Sequence, residues 1–402
     1  MRKSALYLFG LVAASLVALG LIVLCSASQP NAVRLHHGNA FAFFVRQLIF
    51  AFGGIVVAFF VAKTDYRIWK THRVLTWVFY GCVFLALLAV FPPLGRSVNG
   101  SYRWIPVGPV NVQPSEFAKL AIVIVVAMWM DRLGWKSERF VPGVVIPSLL
   151  IAGFAGPILA ETDLGSSVVV GCAGFLMMLL GGTRWLYILG SVALGGCAFL
   201  GVMLTNANRM RRLAPWLRGV LPPDMLAWLG MEQAAPEAAK KLSEMDSAAY
   251  QAYNSLVAIK NGGLWGVGLG QSMQKQYYLP EAHTDFVMAV GAEELGLPFT
   301  LAVIALFFLF FILAVYIGLK ASDRYGRYIA FGMGFIIFFQ AMFNLGVVCE
   351  ALPTKGMALP FFSYGGTNMI AACIAVGMIL SVGIHSYQDK KRTLRHNVEF
   401  GE

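Results

Sequence analysis

The side chains best suited to chemistry sit where polar loops meet long apolar runs. Residues 277–296, YYLPEAHTDFVMAVGAEELG, close a polar loop and open an apolar segment. Leu279-Pro280 ends what precedes, because proline fixes φ and lacks a backbone donor. His283, Thr284 and Asp285 then fall where water gives way to hydrocarbon, and an ionisable group there is costly unless used or solvated. Asp285 is a candidate general base, able to take a proton from an attacking hydroxyl. The same position suits a helix N-cap, where a carboxylate meets free N–H groups and the positive end of the dipole. In PSEFAK, Glu116 and Lys119 are three apart and share one helix face. Inside a membrane span such a pair is either a structural tie or part of a substrate site. The turn ETDLG offers Glu161 and Asp163 as solvated charges or as metal-binding oxygens. In LPFFSYGG, Ser363 and Tyr364 lie in a chain break, with the Tyr364 hydroxyl placed for the membrane interface. Glu293 and Glu294 are too close to be independent catalysts, and one is expected to pair with a lysine or arginine in the bundle.

These residues need a membrane scaffold to hold them. The chain has 402 residues, 58% hydrophobic and 13% charged, and a mean hydropathy of +0.70, which excludes an ordinary soluble domain. Apolar runs near 5–25, 44–62, 74–91, 115–130, 141–160, 164–182, 185–205, 285–318, 328–350 and 365–387 approach the roughly 20 residues that cross a bilayer. They predict one all-α polytopic membrane domain over residues 1–402, with about ten transmembrane helices. Met1-Arg2-Lys3 would suit a signal peptide, but the run that follows is longer than an ordinary h-region, so a retained helix is expected. The six cysteines lie in or beside apolar runs and read as small core residues. The GxGxG spacing at 266–270 follows no strand, so it predicts loop glycines packed on helices and not a dinucleotide fingerprint.

The net charge of +11 is explained by where the charges fall. With the N-terminus inside, Lys63, Arg67, Lys70 and Arg73 share an internal loop, followed by Arg132, Lys136 and Arg139, then Arg184. Lys320, Arg324 and Arg327 come next, then Lys390, Lys391, Arg392 and Arg395 in the tail 388–402. This is the positive-inside pattern and puts both termini in the cytoplasm. It accounts for the basic excess without nucleic acid. Outside lie a turn-laden loop at 95–114 carrying Arg103 and Trp104, and a large loop at 206–284 between helices 7 and 8. The latter is too long to be a connector alone and holds a helix-friendly stretch at 236–245.

RSVNGSYRWIPVGPVNVQPSEFAKL, ETDLGSS, GGLWGVGLGQSMQKQYYLPEAHTDF and ALPTKGMALPFFSYGG, in that order over nearly the whole chain, resemble the SEDS family (shape, elongation, division and sporulation proteins). The resemblance implies a ten-helix protein of the bacterial cytoplasmic membrane that polymerises lipid II into peptidoglycan glycan strands. It implies a class B penicillin-binding protein transpeptidase as partner. PEAHTDF and the SAS at 26–28 favour the division-type (FtsW-like) branch, hence the septum and other division proteins. The RodA-like elongation type and the sporulation type are close. By this resemblance Asp285 matches an essential loop aspartate and Trp104 an important loop tryptophan. Arg103, Glu116, Lys119, Lys355, Ser363 and Tyr364 fall in matching motifs. Residues 218–247 look like extra material, and Glu350, Asn254 and Asn368 depart from the usual pattern.

Polymerising such a donor needs a base for the acceptor hydroxyl, positive charge for the departing pyrophosphate and an apolar groove for the lipid. Asp285 suits the first. Arg103, Lys119 and Lys355, or a divalent cation such as Mg or Mn, suit the second, and no organic cofactor is expected. Trp104 suits stacking on a sugar or anchoring the loop. A transporter that flips lipid-linked precursors, or a non-catalytic scaffold for a wall synthase, would use the same membrane architecture.

Overall fold

The computed structural model describes residues 3–35, 38–91, 95–98, 101–108, 110–204, 247–276, 278–353 and 356–400. Every expected span is helical: α1 (Lys3–Leu35), α2 (Ala42–Lys63), α3 (Arg73–Ala89), α4 (Pro114–Leu133), α5 (Ile146–Ala160), α6 (Leu164–Leu180) and α7 (Trp185–Leu204). After α8 (Ser247–Gly262), a helix of the large loop, come α9 (Val287–Leu319), α10 (Arg324–Val348) and α11 (Gly366–Phe400). Among the described residues six helices are long and apolar enough to cross a membrane, and three shorter apolar helices accompany them. The chain is a polytopic, mostly helical membrane protein. Most of the large loop, including 218–246 and the helix-friendly stretch 236–245, lies outside the described residues, as does Lys355.

Helix α4 is the centre of the bundle. Every residue from Ala118 to Met128 is buried, and α3, α6, α10 and α11 pack around it. Beyond Lys119 its sequence, LAIVIVVAM, is apolar on every face, and a helix apolar all round is a buried one. The most extensive helix pair is α2 with α11. There Gly377 meets the Ala58 backbone and Gly54 meets Cys373 with no room for a Cβ, the close approach that small residues allow in membranes.

The expected span 285–318 is broken. Gly296 sits at φ 75°, ψ −169°, a region open in practice to glycine, and Pro298 follows. Residues 287–295 therefore form a short half-helix, almost wholly buried, before the membrane-length segment begins. The glycine loop packs back on it as expected: a Cβ on Gly266 would collide with the Glu294 carbonyl. Glu294 takes the Lys275 ammonium at 2.6 Å and the Ser26 hydroxyl of α1 at 2.7 Å. Glu293 accepts the Ser272 hydroxyl and the N–H groups of Met273 and Gln274, the latter two at 3.3 Å. The expected cationic partner thus exists, supplied by the loop.

The loop at 95–114 is more than turns. β1 (Arg96–Val98), β2 (Ser101–Val107) and β3 (Val110–Val112) form an antiparallel sheet in the order β1-β2-β3. Its β-branched and aromatic residues suit a pleated, half-covered surface.

Candidate functional site

Asp285 is not the cap of α9. The capping position is Phe286, and it makes no side-chain cap hydrogen bond. Asp285 instead lies in the turn before the helix, held through its backbone. Its carbonyl accepts from Asn344 Nδ2 at 2.8 Å, and the same amide donates to the Met357 carbonyl at 2.6 Å. One residue earlier, the Thr284 carbonyl accepts from Ser363 Oγ at 2.5 Å. Another step back, the His283 carbonyl accepts from Tyr364 N–H at 2.9 Å. Segments 283–285 and 356–364 are thereby laced together. The Asp285 carboxylate rests against Gly356, where a Cβ would overlap Oδ2.

Ser363 is fully buried, and its hydroxyl also accepts from Leu359 N–H at 2.6 Å, so it positions the turn instead of meeting substrate. Tyr364 is half-buried with its ring edge on Phe43, which stacks on the His283 ring at 5.0 Å. Asn31 of α1 lies 3.2 Å from His283 Nδ1. Burial holds the His283 imidazole below its ordinary pKa, with Glu281 opposing, so the ring stays neutral near pH 7. Gln47 of α2 holds the other side of segment 356–364, the strap beside Asp285: its amide donates to the Ser363 carbonyl at 3.2 Å and accepts from Gly365 N–H at 3.1 Å.

Glu116 and Lys119 form a buried pair at 2.8 Å, with side chains 6% and 2% exposed. Lys119 also donates to Gln340 Oε1 at 2.7 Å, and Gln340 Nε2 donates to the Ala358 carbonyl at 2.8 Å. Lys119 is therefore enclosed, and through Gln340 it reaches the Ala358 carbonyl. Gln340 and Asn344 are four apart on one face of α10, one turn serving Lys119 and the next serving Asp285. Both were missed in the sequence, although two amides in the apolar run FFQAMFNLG are the kind of signal that marks a working face.

Arg103 and Trp104 are half-buried on β2. Arg103 Nη2 donates to the Thr162 carbonyl at 2.8 Å, tying the sheet to the turn between α5 and α6. Asp163 caps α6, accepting from Ser166 N–H at 3.2 Å, and also accepts from Gln113 Nε2 at 3.3 Å. Glu161, outside the spans and 2% exposed, has its pKa pushed up to about 8, first by burial and then by Asp163, with Arg103 opposing. Thr162 between them has φ 63°. Gly165 abuts Met357, so this turn adjoins the strap beneath Asp285.

Among the described residues no three His, Cys, Asp or Glu side chains gather to hold a metal ion. Those residues therefore form no protein-built cage.

Similar proteins share this layout along their whole length. A protein-family model described as "Cell cycle protein", covering FtsW, RodA and SpoVE, matches residues 6–388. The probable peptidoglycan glycosyltransferase FtsW of Geobacter metallireducens is 36% identical, with 92% of each chain covered. That of Coxiella burnetii is 34% identical, over 92% of this chain and 93% of its own. A solved chain from work on structural coordination of polymerization and crosslinking by a peptidoglycan synthase complex matches with TM-score 0.71 and 25% identity, covering 95% of this chain and 98% of that one. The rod shape determining protein RodA of Thermus thermophilus matches in fold with TM-score 0.64 and 24% identity, over 94% and 96% of the two chains. The order of its motifs, its helices and a match spanning nearly all its residues make this chain a member of the FtsW/RodA/SpoVE family.

Proposed function

We propose that this chain is a peptidoglycan glycosyltransferase of the division type, polymerising lipid II at the outer face of the cytoplasmic membrane. The observation that carries the reaction is the seat of Asp285: its own carbonyl is held by Asn344 and the preceding one by Ser363, which fixes the residue just before α9. A base works when it is within reach of the hydroxyl it deprotonates and its supports keep it there. Asp285 takes the proton from the acceptor sugar hydroxyl as that oxygen bonds to the donor's anomeric carbon. The bond from that carbon to the pyrophosphate breaks, and its electron pair leaves with the phosphate oxygen. Arg103, at the same end of the bundle, meets that charge, and so does Lys355, next to Gly356 in the sequence. Lys119 acts from behind, holding Gln340 against the Ala358 carbonyl. A divalent cation bound with the phosphates would supply further positive charge.

The working partner is a class B penicillin-binding protein transpeptidase, and the site of action is the division septum. Support comes from the FtsW names of the relatives and from the synthase complex that contains the similar chain. The test is Asp285→Asn in the purified full chain, given fluorescent lipid II with and without a class B transpeptidase. The amide cannot accept a proton near neutral pH, so glycan ladders are expected to fall by about 10²–10⁴-fold, with unchanged thermal unfolding. A stable variant that polymerises at the wild-type rate would remove Asp285 from the chemistry. Lipid II movement across proteoliposomes without any polymer would replace the enzyme by a transporter.

A further inference from the structure

Arg103 reaches the turn between α5 and α6, and its charge acts on Glu161 there. Neither carboxyl oxygen of Glu161 has a hydrogen-bond partner among the described residues, and neither has Arg103 Nε, although all three atoms are buried. Such groups are seldom left unmatched. The neighbours do not supply the match. Asp163 is occupied by Ser166 N–H and Gln113, and its charge opposes a second one beside it. Arg103 gives Nη2 to the Thr162 carbonyl, between the two acids. A metal ion would meet a guanidinium here and a single available carboxyl group. A carboxylic acid, by contrast, is an O–H donor. With Arg103 Nε–H it makes a two-donor receptor, whose complement is an oxyanion.

We propose that Glu161 donates its carboxyl O–H to a phosphate oxygen of the lipid-linked donor beside Arg103, stabilising the departing pyrophosphate. This role rests on the glycosyltransferase assignment. The turn is placed for it, since Gly165 abuts Met357, whose carbonyl shares the Asn344 amide with Asp285. The charged groups acting on Glu161 are Asp163 on its own turn and Arg103 on β2, and burial outweighs both. Once the bond breaks, the terminal phosphate of the leaving group has its second pKa near 6, below the value of about 8 for Glu161. The proton therefore stays on Glu161, which is a hydrogen-bond donor and not a general acid. As pH rises through about 8 the carboxyl ionises, loses its donor and repels the phosphate.

The experiment follows lipid II polymerisation by the full chain with its transpeptidase from about pH 6 to about pH 9.5. Wild type is expected to lose roughly tenfold per pH unit on the alkaline side. Glu161→Gln keeps a weaker donor that cannot ionise, so it loses about threefold near pH 7 and the alkaline fall disappears. Glu161→Ala loses the donor and about 10²-fold at every pH. A Gln variant that keeps the wild-type alkaline fall, or one as inactive as Ala, overturns the proposal. A wild-type chain that makes no ladder at any pH overturns the glycosyltransferase assignment and this role with it. A second readout needs no turnover. Inorganic pyrophosphate is expected to raise the melting temperature of the Asp285→Asn chain more at pH 7 than at pH 9, and adding Glu161→Gln should erase that difference. Equal protection at both pH values in the Glu161 chain refutes the donor role.

Discussion

Asp285 owes its position to atoms that carry no charge. Asn344, Ser363 and Gly356 decide where the carboxylate points, and Gly356 does so by having no side chain. The lack of room for a Cβ makes Gly356→Ala a test of placement that leaves every ionisable group intact. The added methyl must displace the carboxylate or the strap. A misplacement of about 1 Å can cost on the order of 10²-fold in rate, so polymerisation is expected to drop by roughly that factor. Gly356 itself is half-buried at the edge of segment 356–364, so the melting temperature should change less than the rate. A ladder assay and a thermal melt on one preparation check both halves. An Ala variant with wild-type turnover would show that the carboxylate works from another position.

Helix α4 shows what a buried ion pair does for its neighbours. Glu116 and Lys119 lie at its first turns, and Lys119 is bonded to an amide whose other end holds the Ala358 carbonyl. Neutralising one partner leaves a buried charge uncompensated, a loss of about 3–5 kcal/mol. Glu116→Gln or Lys119→Met should therefore lower the yield of folded protein. Reversing both charges restores the pair but makes the group beside Gln340 an acceptor. Gln340 must then turn its amide and release Ala358. The doubly reversed chain is expected to regain folded yield, measured by size-exclusion recovery, while polymerisation stays at least about tenfold down. Full activity in that chain would show the hold on Ala358 to be dispensable. Much of this was legible in the sequence. Charges and amides stand out against hydrocarbon, so Asp285 and the Glu116–Lys119 pair could be picked from spacing, and Gln340 and Asn344 carried the same signal. What was not legible is long-range. No local pattern says that Ser363 will bond a carbonyl 79 residues away, that Gly296 will break a long apolar run, or that the loop of Arg103 will pair into strands. Those features depend on which backbone groups meet after packing.

The bundle as a whole has two polar ends, and their membership follows the charge pattern of the loops. At one end Arg67 meets Asp389 at 2.5 Å, Lys70 meets Asp131 at 3.0 Å and Asp323 at 3.2 Å, and the Tyr66 hydroxyl meets Asp323 at 2.8 Å. Lys3 lies over the Tyr387 ring, bringing the first and last helices together there. These are the segments that the positive-inside pattern assigns to the cytoplasm. The other end gathers Asn31, His283, Tyr364, Arg103 and Asp163, as wall synthesis outside the membrane requires. The two ends therefore test function and topology together, because a reversed chain would place Asp285 in the cytoplasm. Asn39, in the exposed turn between α1 and α2, and Trp135, 71% exposed in the turn after α4, report on opposite ends. Each is replaced by cysteine in a chain whose exposed Cys349, at the outer end of α10, is changed to serine. An impermeant maleimide added to intact spheroplasts is expected to label Asn39→Cys at once and Trp135→Cys only after lysis. The opposite order would invert the membrane and detach Asp285 from any lipid-linked substrate presented outside.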